Sequence, residues 1–353
     1  MHFSHQLMPT LEQLTSYGEL NTPLPFIVYG QIQRIFSRDL FEGRLLNFLL
    51  SIIISLIIGW PKKDAKSRPV LALLGLFVFP YFLWFSTRYY TDIMAVFFVL
   101  LGFIAYFKKL HVFSALAFVL GISSRQYMIA FPLAIATHEL VLALRHRRRL
   151  SMSFFMPVIA ASSILVWIFL FNGLAPEVAM AVRSVPEVQQ EVVFNEANSG
   201  IYFGLQPSNS LYSLAGLGLF YVIPEYLLFR YPLPWQKALN FKSLLVAAIA
   251  IVVFIIFPPY TIGKGVLWKI TQVMPIDFLV PPLFFILILI TCWRFYCLDI
   301  SSWLVVLNAF ILSKAFPWDK YLLPLIVVLW YLKARKDNGG ASGMRAQNGG
   351  GSE

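Results

Sequence analysis

Charge is scarce in this chain: Asp, Glu, Lys and Arg together make up 13% of its 353 residues, against 59% apolar residues and a mean hydropathy of +0.72. That shortage excludes a water-soluble globule built around one core. Cysteine is nearly absent. Cys292 and Cys297 lie close together without metal spacing, so neither a disulfide framework nor a zinc site is supported. No Asn-x-Ser/Thr acceptor occurs. Acidic residues are fewer than basic ones, 17 against 28, yet the basic excess is not massed on a readable helix or sheet motif, which argues against nucleic acid. No cluster of His, Cys, Asp and Glu calls for a divalent metal, and no cofactor is expected.

Long apolar runs are abundant. The expected fold is all-α, a polytopic transmembrane helical bundle of about eleven spans, near residues 45–60, 69–86, 92–107, 110–123, 126–144, 154–172, 210–229, 243–258, 277–293, 302–315 and 321–332. Residues 110–144 also fit one long helix, tilted or broken at Ser123-Ser124-Arg125. If the spans alternate, most Lys and Arg residues fall in one set of loops, among them Lys62, Lys63, Arg147, Arg148, Arg294 and Lys333, and that side reads as cytoplasmic together with the C-terminus. Residues 1–334 read as one transmembrane domain, followed by a disordered Gly-rich cytoplasmic tail at 335–353. Short loops favour a bacterial plasma membrane, with the endoplasmic reticulum as the alternative.

The other face receives residues 1–44, the short turns at 87–91, 124–125 and 316–320, and the 173–209 and 259–276 loops. In the first of these segments Leu7, Leu11 and Leu14 repeat at helical spacing, and Thr22-Pro23 reads as an N-cap with proline opening a second amphipathic helix to Phe36.

Every chemically loaded stretch falls on this face. An Arg, Lys or Asp at mid-membrane costs about 2.5–3.5 kcal/mol on insertion scales, so such residues sit at helix ends or face a polar cavity. Arg88 either snorkels to the interface or serves a site, and Tyr89 and Tyr90 either form an aromatic belt or line that site. Asp92 opens the next apolar run and fits a first-turn carboxylate as well as a proton acceptor. Arg125 interrupts a nearly uncharged region and needs an anionic partner or a wet cavity unless it snorkels. Lys320 can pair with Asp319 across its turn. His2, His5, Glu12 and Glu19 make the first segment rich in groups that exchange protons near neutrality, although a solvated terminus accounts for them equally. Trp318, Tyr202 and Phe203 are suited either to stacking on a sugar or to interfacial anchoring.

Taken in order, a histidine-bearing outer segment, NTPLPF at 21–26, EGRLLN at 42–47, YYTD at 89–92, Arg125-Gln126 and WDKYLLPL at 318–325 resemble the GT-C class of membrane glycosyltransferases. The closest motif pattern is that of the dolichyl-phosphate-glucose α-1,2-glucosyltransferase family, whose TTPPG-, YYTD- and RQTN-type stretches are similar to these. The resemblance covers most of residues 1–144 plus Lys314 to Leu325.

It implies transfer of a hexose from a polyprenyl-phosphate donor to an acceptor hydroxyl, on a glycan or a lipid-linked acceptor, at the extracytoplasmic membrane face. A carboxylate takes the acceptor proton, the bets being Asp92 and Glu12 with His2 and His5. Arg88, Arg125 and Lys320 form a cationic clamp on the donor phosphate, and Tyr89, Tyr90, Gln126, Trp318 and Asp319 bind substrate. In that class a membrane span and an acidic pair precede a histidine like His2. The expectation is therefore that Met1 is an internal or truncated start, which an in-frame upstream apolar segment would confirm. A transporter or flippase and a non-catalytic assembly subunit for polyprenyl-linked glycans are the competing readings.

Overall fold

The computed structural model describes residues 9–36, 40–60, 68–179, 205–229, 241–260 and 263–336. Among these the chain is helical throughout, with no strand and a single isolated bridge between Lys264 and Trp318. The first helices are α1 (Leu11–Thr15) and α2 (Leu24–Ile35), followed by α3 (Phe41–Gly59), α4 (Pro69–Val78), α5 (Pro80–Ser86), α6 (Asp92–Phe107) and α7 (His111–Ser124). A 3₁₀ turn (Gln126–Ile129) leads into α8 (Ala130–His146), then α9 (Met152–Ser162) and α10 (Ile164–Phe171). The second half holds α11 (Pro207–Leu217), α12 (Ile223–Phe229), α13 (Phe241–Ile256), α14 (Val266–Val273), α15 (Val280–Arg294), α16 (Ile300–Leu312) and α17 (Leu323–Lys336).

All eleven apolar runs become helix, and several boundaries agree to within a residue or two. By length and apolarity, however, five helical stretches among the described residues qualify to cross a membrane: 41–59, 126–146, 152–171, 207–229 and 277–294. The pair α4 and α5 makes a sixth if counted together, although it bends by 82° where Phe79-Pro80 interrupts the helix. Four shorter apolar helices, α6, α7, α16 and residues 244–256, fall below the length of a standard span.

α3 shows why the bundle suits lipid. Gly43, Asn47, Ser51, Ile54 and Ile58 are buried, while Leu45, Phe48, Leu49, Ile52, Ile53 and Leu56 are exposed. Apolar side chains on the outside and small or polar ones within invert the soluble-protein rule, because lipid solvates leucine as well as a core does.

The hub is α17. Leu322 to Ala334 are all buried, as expected of a helix apolar on every side, and this helix packs on α3, α4, α6 and α16. It continues through Arg335 and Lys336. Residues 337–353 lie outside the described residues.

The first segment differs from its expectation. α1 is a short helix opened by a capping box in which Thr10 accepts from the Gln13 backbone and Gln13 from that of Thr10. Thr22 does not cap α2: its hydroxyl donates to Ile122 O at 2.8 Å, tying the loop before α2 to the end of α7. Tyr17 packs on Phe26 and Phe171 beside it. The break at Arg125 is real, since its extended backbone (φ −153°, ψ 123°) ends α7.

Candidate functional site

Four turns supply the site, and the α5–α6 turn is its frame. Tyr90 stacks on Phe85 with ring centroids 4.3 Å apart and planes 5° from parallel. Its hydroxyl accepts from Lys320 Nζ at 2.7 Å. The Lys320 ammonium lies 3.4 Å from the centroid of the Trp318 ring, and Arg125 and Lys320 stand 5.8 and 5.2 Å from the Tyr90 ring. Two of the three expected cations therefore converge on one phenol, from turns 195 residues apart in the chain. Both are buried, in surroundings where a cation gains more from a ring face than it does in water.

Arg125 is held by charge. One guanidinium nitrogen pairs with Asp92 Oδ2, and the other donates to Asn21 Oδ1 at 2.8 Å. Tyr127 donates to the other Asp92 oxygen at 2.8 Å. Asp92 is fully buried with both oxygens engaged, so the anionic partner that Arg125 requires is the carboxylate opening α6. Asp92 stands in the first turn of α6, as expected, with Thr91 at the N-cap, and its side chain turns to Arg125. Gln126 donates to Leu20 O and Leu174 O at 2.7 and 2.9 Å, so its amide fastens the first segment to the bundle.

Asp319 does not pair with Lys320. Its Oδ1 accepts from the Tyr81 hydroxyl at 2.9 Å, and its Oδ2 accepts from the backbone N–H groups of Val266 and Leu267 at 2.8 and 3.0 Å. The carboxylate thus satisfies the first turn of α14, where unpaired N–H groups and the helix dipole favour an anion. The chain passes over it at Gly265, whose φ of +107° excludes other residues without strain and whose missing Cβ leaves room for Asp319.

The same arrangement brings in Lys264. Its N–H donates to Pro317 O at 2.9 Å, and its ammonium lies 5.8 Å from the Trp318 ring centroid.

Arg88 stands apart. It is exposed and stacks over Trp84 at 4.8 Å. Of the first-segment groups, Glu12 is exposed on α1, and His2 and His5 lie outside the described residues, as do Tyr202 and Phe203. Glu19, also exposed, is near enough for its charge to reach the tyrosines: burial first and then Glu19 push the Tyr89 phenol up, and Glu19 adds to burial and Asp92 in raising Tyr90. Nothing in the sequence marked Glu19 above Glu12. Among the described residues no group of three His, Cys, Asp or Glu side chains is placed to hold a metal. An apolar groove of about 410 Å³ between α3, α4 and α5 is lined by none of these site residues.

Comparison with known families decides the class. The model of the DIE2/ALG10 family matches residues 27–273. The chain belongs to the DIE2/ALG10 family. It is therefore a membrane glycosyltransferase by family, and its apolar helices agree with an integral membrane protein. No curated protein and no solved structure matches it. The DIE2/ALG10 match spans α2 to α14, and so covers Tyr90, Asp92, Arg125 and Lys264 but not Trp318 or Lys320.

Proposed function

We propose that this DIE2/ALG10 family chain is a GT-C hexosyltransferase that moves glucose from a dolichyl-phosphate donor to a hydroxyl of a lipid-linked oligosaccharide. The observation that carries the reading is the convergence of Lys320 and Arg125 on Tyr90, with Lys264 beside Trp318. In a single displacement the acceptor oxygen bonds to the anomeric carbon as the bond to the donor phosphate breaks. Charge then grows on the departing phosphate, and fixed cations in a dry site stabilise it without reorganising. Lys320 is the group assigned to that phosphate, and Trp318 beside it offers a face for the sugar. Arg125 adds positive potential while its carboxylate partner Asp92 holds it in place.

A proton must leave the acceptor hydroxyl. Asp92, committed to Arg125 and Tyr127, acts here as a counter-ion, so the exposed carboxylates of the first segment, Glu19 ahead of Glu12, are assigned the base, with His2 and His5 available in the same segment. Tyr89 and Tyr90 form the wall beneath. Arg88, on the rim, suits the incoming headgroup better than the transition state. The five long stretches, the α4–α5 pair, the four short helices and α17 make up a bundle of about eleven spans in which residues 1–334 act as one domain.

We place the protein in the endoplasmic reticulum membrane, the setting of the family, rather than the bacterial plasma membrane suggested by short loops. Basic-residue bias continues to argue for a cytoplasmic C-terminus. The test is purified protein given radiolabelled polyprenyl-phosphate glucose and a lipid-linked oligosaccharide. The expected result is free polyprenyl phosphate and labelled oligosaccharide, both lost on Lys320→Ala. Transfer undiminished in that variant overturns the assignment.

A further inference from the structure

The α5–α6 turn carries Arg88, Tyr89 and Tyr90, and Thr91, which leads into α6, makes no side-chain capping bond. It is gripped from outside, by α3. Asn47 Nδ2 donates to Arg88 O at 2.7 Å and to Tyr90 O at 2.8 Å, using both amide hydrogens. Its Oδ1 accepts from the Tyr29 hydroxyl of α2 at 2.6 Å. Carbonyl oxygens only accept, so this orientation of the carboxamide is the one that satisfies all three partners. Asn47 is fully buried, and an unfilled partner there carries the whole desolvation cost. One turn earlier on the same face, Gly43 has no side chain, and the space is filled by the Tyr89 ring, itself 4.4 Å from the Tyr29 ring.

We infer that Asn47 is a positioning residue: its carboxamide fixes the Arg88–Tyr90 backbone and, through the Tyr90 phenol, the Lys320 ammonium assigned above to the donor phosphate. The chain of contacts is short. Asn47 sets the carbonyl of Tyr90, Phe85 fixes the plane of its ring, and the hydroxyl receives Lys320. The inference rests on the proposed function only in its last step, the phosphate; the placement of Lys320 is open to test by itself.

Two substitutions separate chemistry from size. Asn47→Ala removes both donors, while Asn47→Asp keeps the shape and the acceptor for Tyr29 but sets carboxylate oxygen against two carbonyls. Asn47→Asp is therefore expected to be at least as damaging as Asn47→Ala. The first readout is lysine acetylation of the purified full chain in detergent, followed peptide by peptide. Lys333, equally buried at the far end of α17, reports global loosening. The expected result is a rise of about tenfold in Lys320 labelling in both variants with Lys333 unchanged. Lys320 and Lys333 rising together, or neither rising, overturns the inference.

The second readout is polyprenyl-phosphate binding. Asn47→Asp is expected to weaken it about tenfold and to add nothing on a Lys320→Ala background, since both act through one ammonium. Additive losses count against the link. Wild-type protein that does not bind polyprenyl phosphate, while Lys320 labelling still responds to Asn47, sinks the donor reading and leaves the positioning role standing.

Discussion

Two buried charge clusters occupy opposite ends of α17, and they use similar residues differently. At its C-terminal end Glu225 of α12 takes a two-pronged contact from Arg294 of α15, at 2.6 and 2.8 Å, and Lys333 of α17 at 3.2 Å. One carboxylate ties three helices together. At the other end, Asp92 binds Arg125 while Lys320 donates to a phenol and rests on an indole. The first arrangement places cations directly on a carboxylate; the second sets one of its cations on neutral rings. An ammonium cradled by aromatic faces gives up less to accept a phosphate than one locked to a carboxylate. Position alone does not distinguish a staple from a site. The company each cation keeps does.

The largest expected effect is at Arg125. Arg125→Ala leaves Asp92 buried without its counter-ion, a change that costs about 3–5 kcal/mol when one partner of a buried pair is removed. Thermal unfolding is expected to drop sharply and transfer to vanish. A variant with unchanged melting and full activity removes Arg125 from both roles. Next, Lys320→Ala and Lys333→Ala sharpen the contrast: the first is expected to lower transfer about a hundredfold with little change in melting, the second to lower melting while transfer per folded molecule stays put. The reverse pattern inverts the comparison.

Gly265→Ala follows, at about 1–3 kcal/mol for forcing a side chain into a left-handed backbone, and the strain falls on Asp319 and the start of α14. Measured melting unchanged in that variant contradicts the described conformation. Smallest is Arg88→Ala. An exposed cation on a ring contributes about 0.5–1 kcal/mol, so donor affinity is expected to fall no more than a few-fold. Loss comparable to that of Lys320→Ala would restore Arg88 to the clamp.

Much of this was legible in the sequence. The apolar runs anticipated the helices because each carries enough apolar surface to be helical in lipid whatever its neighbours. Arg125 announced its need for an anion because nothing within its own stretch supplied one. What failed to show were contacts between residues distant along the chain. Asp319 beside Lys320 invited a local pair, yet one of its oxygens serves N–H groups more than fifty residues earlier and the other the Tyr81 hydroxyl. Arg294 and Lys333 counted as loop charges marking a membrane side, whereas both sit in helices around Glu225. Glu19, Lys264 and Asn47 gave no periodic signal at all. The span count differed for a related reason: a helix shielded by neighbours can be shorter than the bilayer is thick, and hydropathy does not report shielding.

The place of α17 at the centre bears on how the protein comes into being. Helices α3, α4, α6 and α16 all precede it in synthesis and all rest against it. Until it emerges they surround an unfilled middle, their inward glycines, serines and asparagine facing lipid or one another. Assembly in the membrane must then be a late event, sealed by a helix that arrives after the partners it joins, and a ribosome halted before Leu323 would release a ring without its axle.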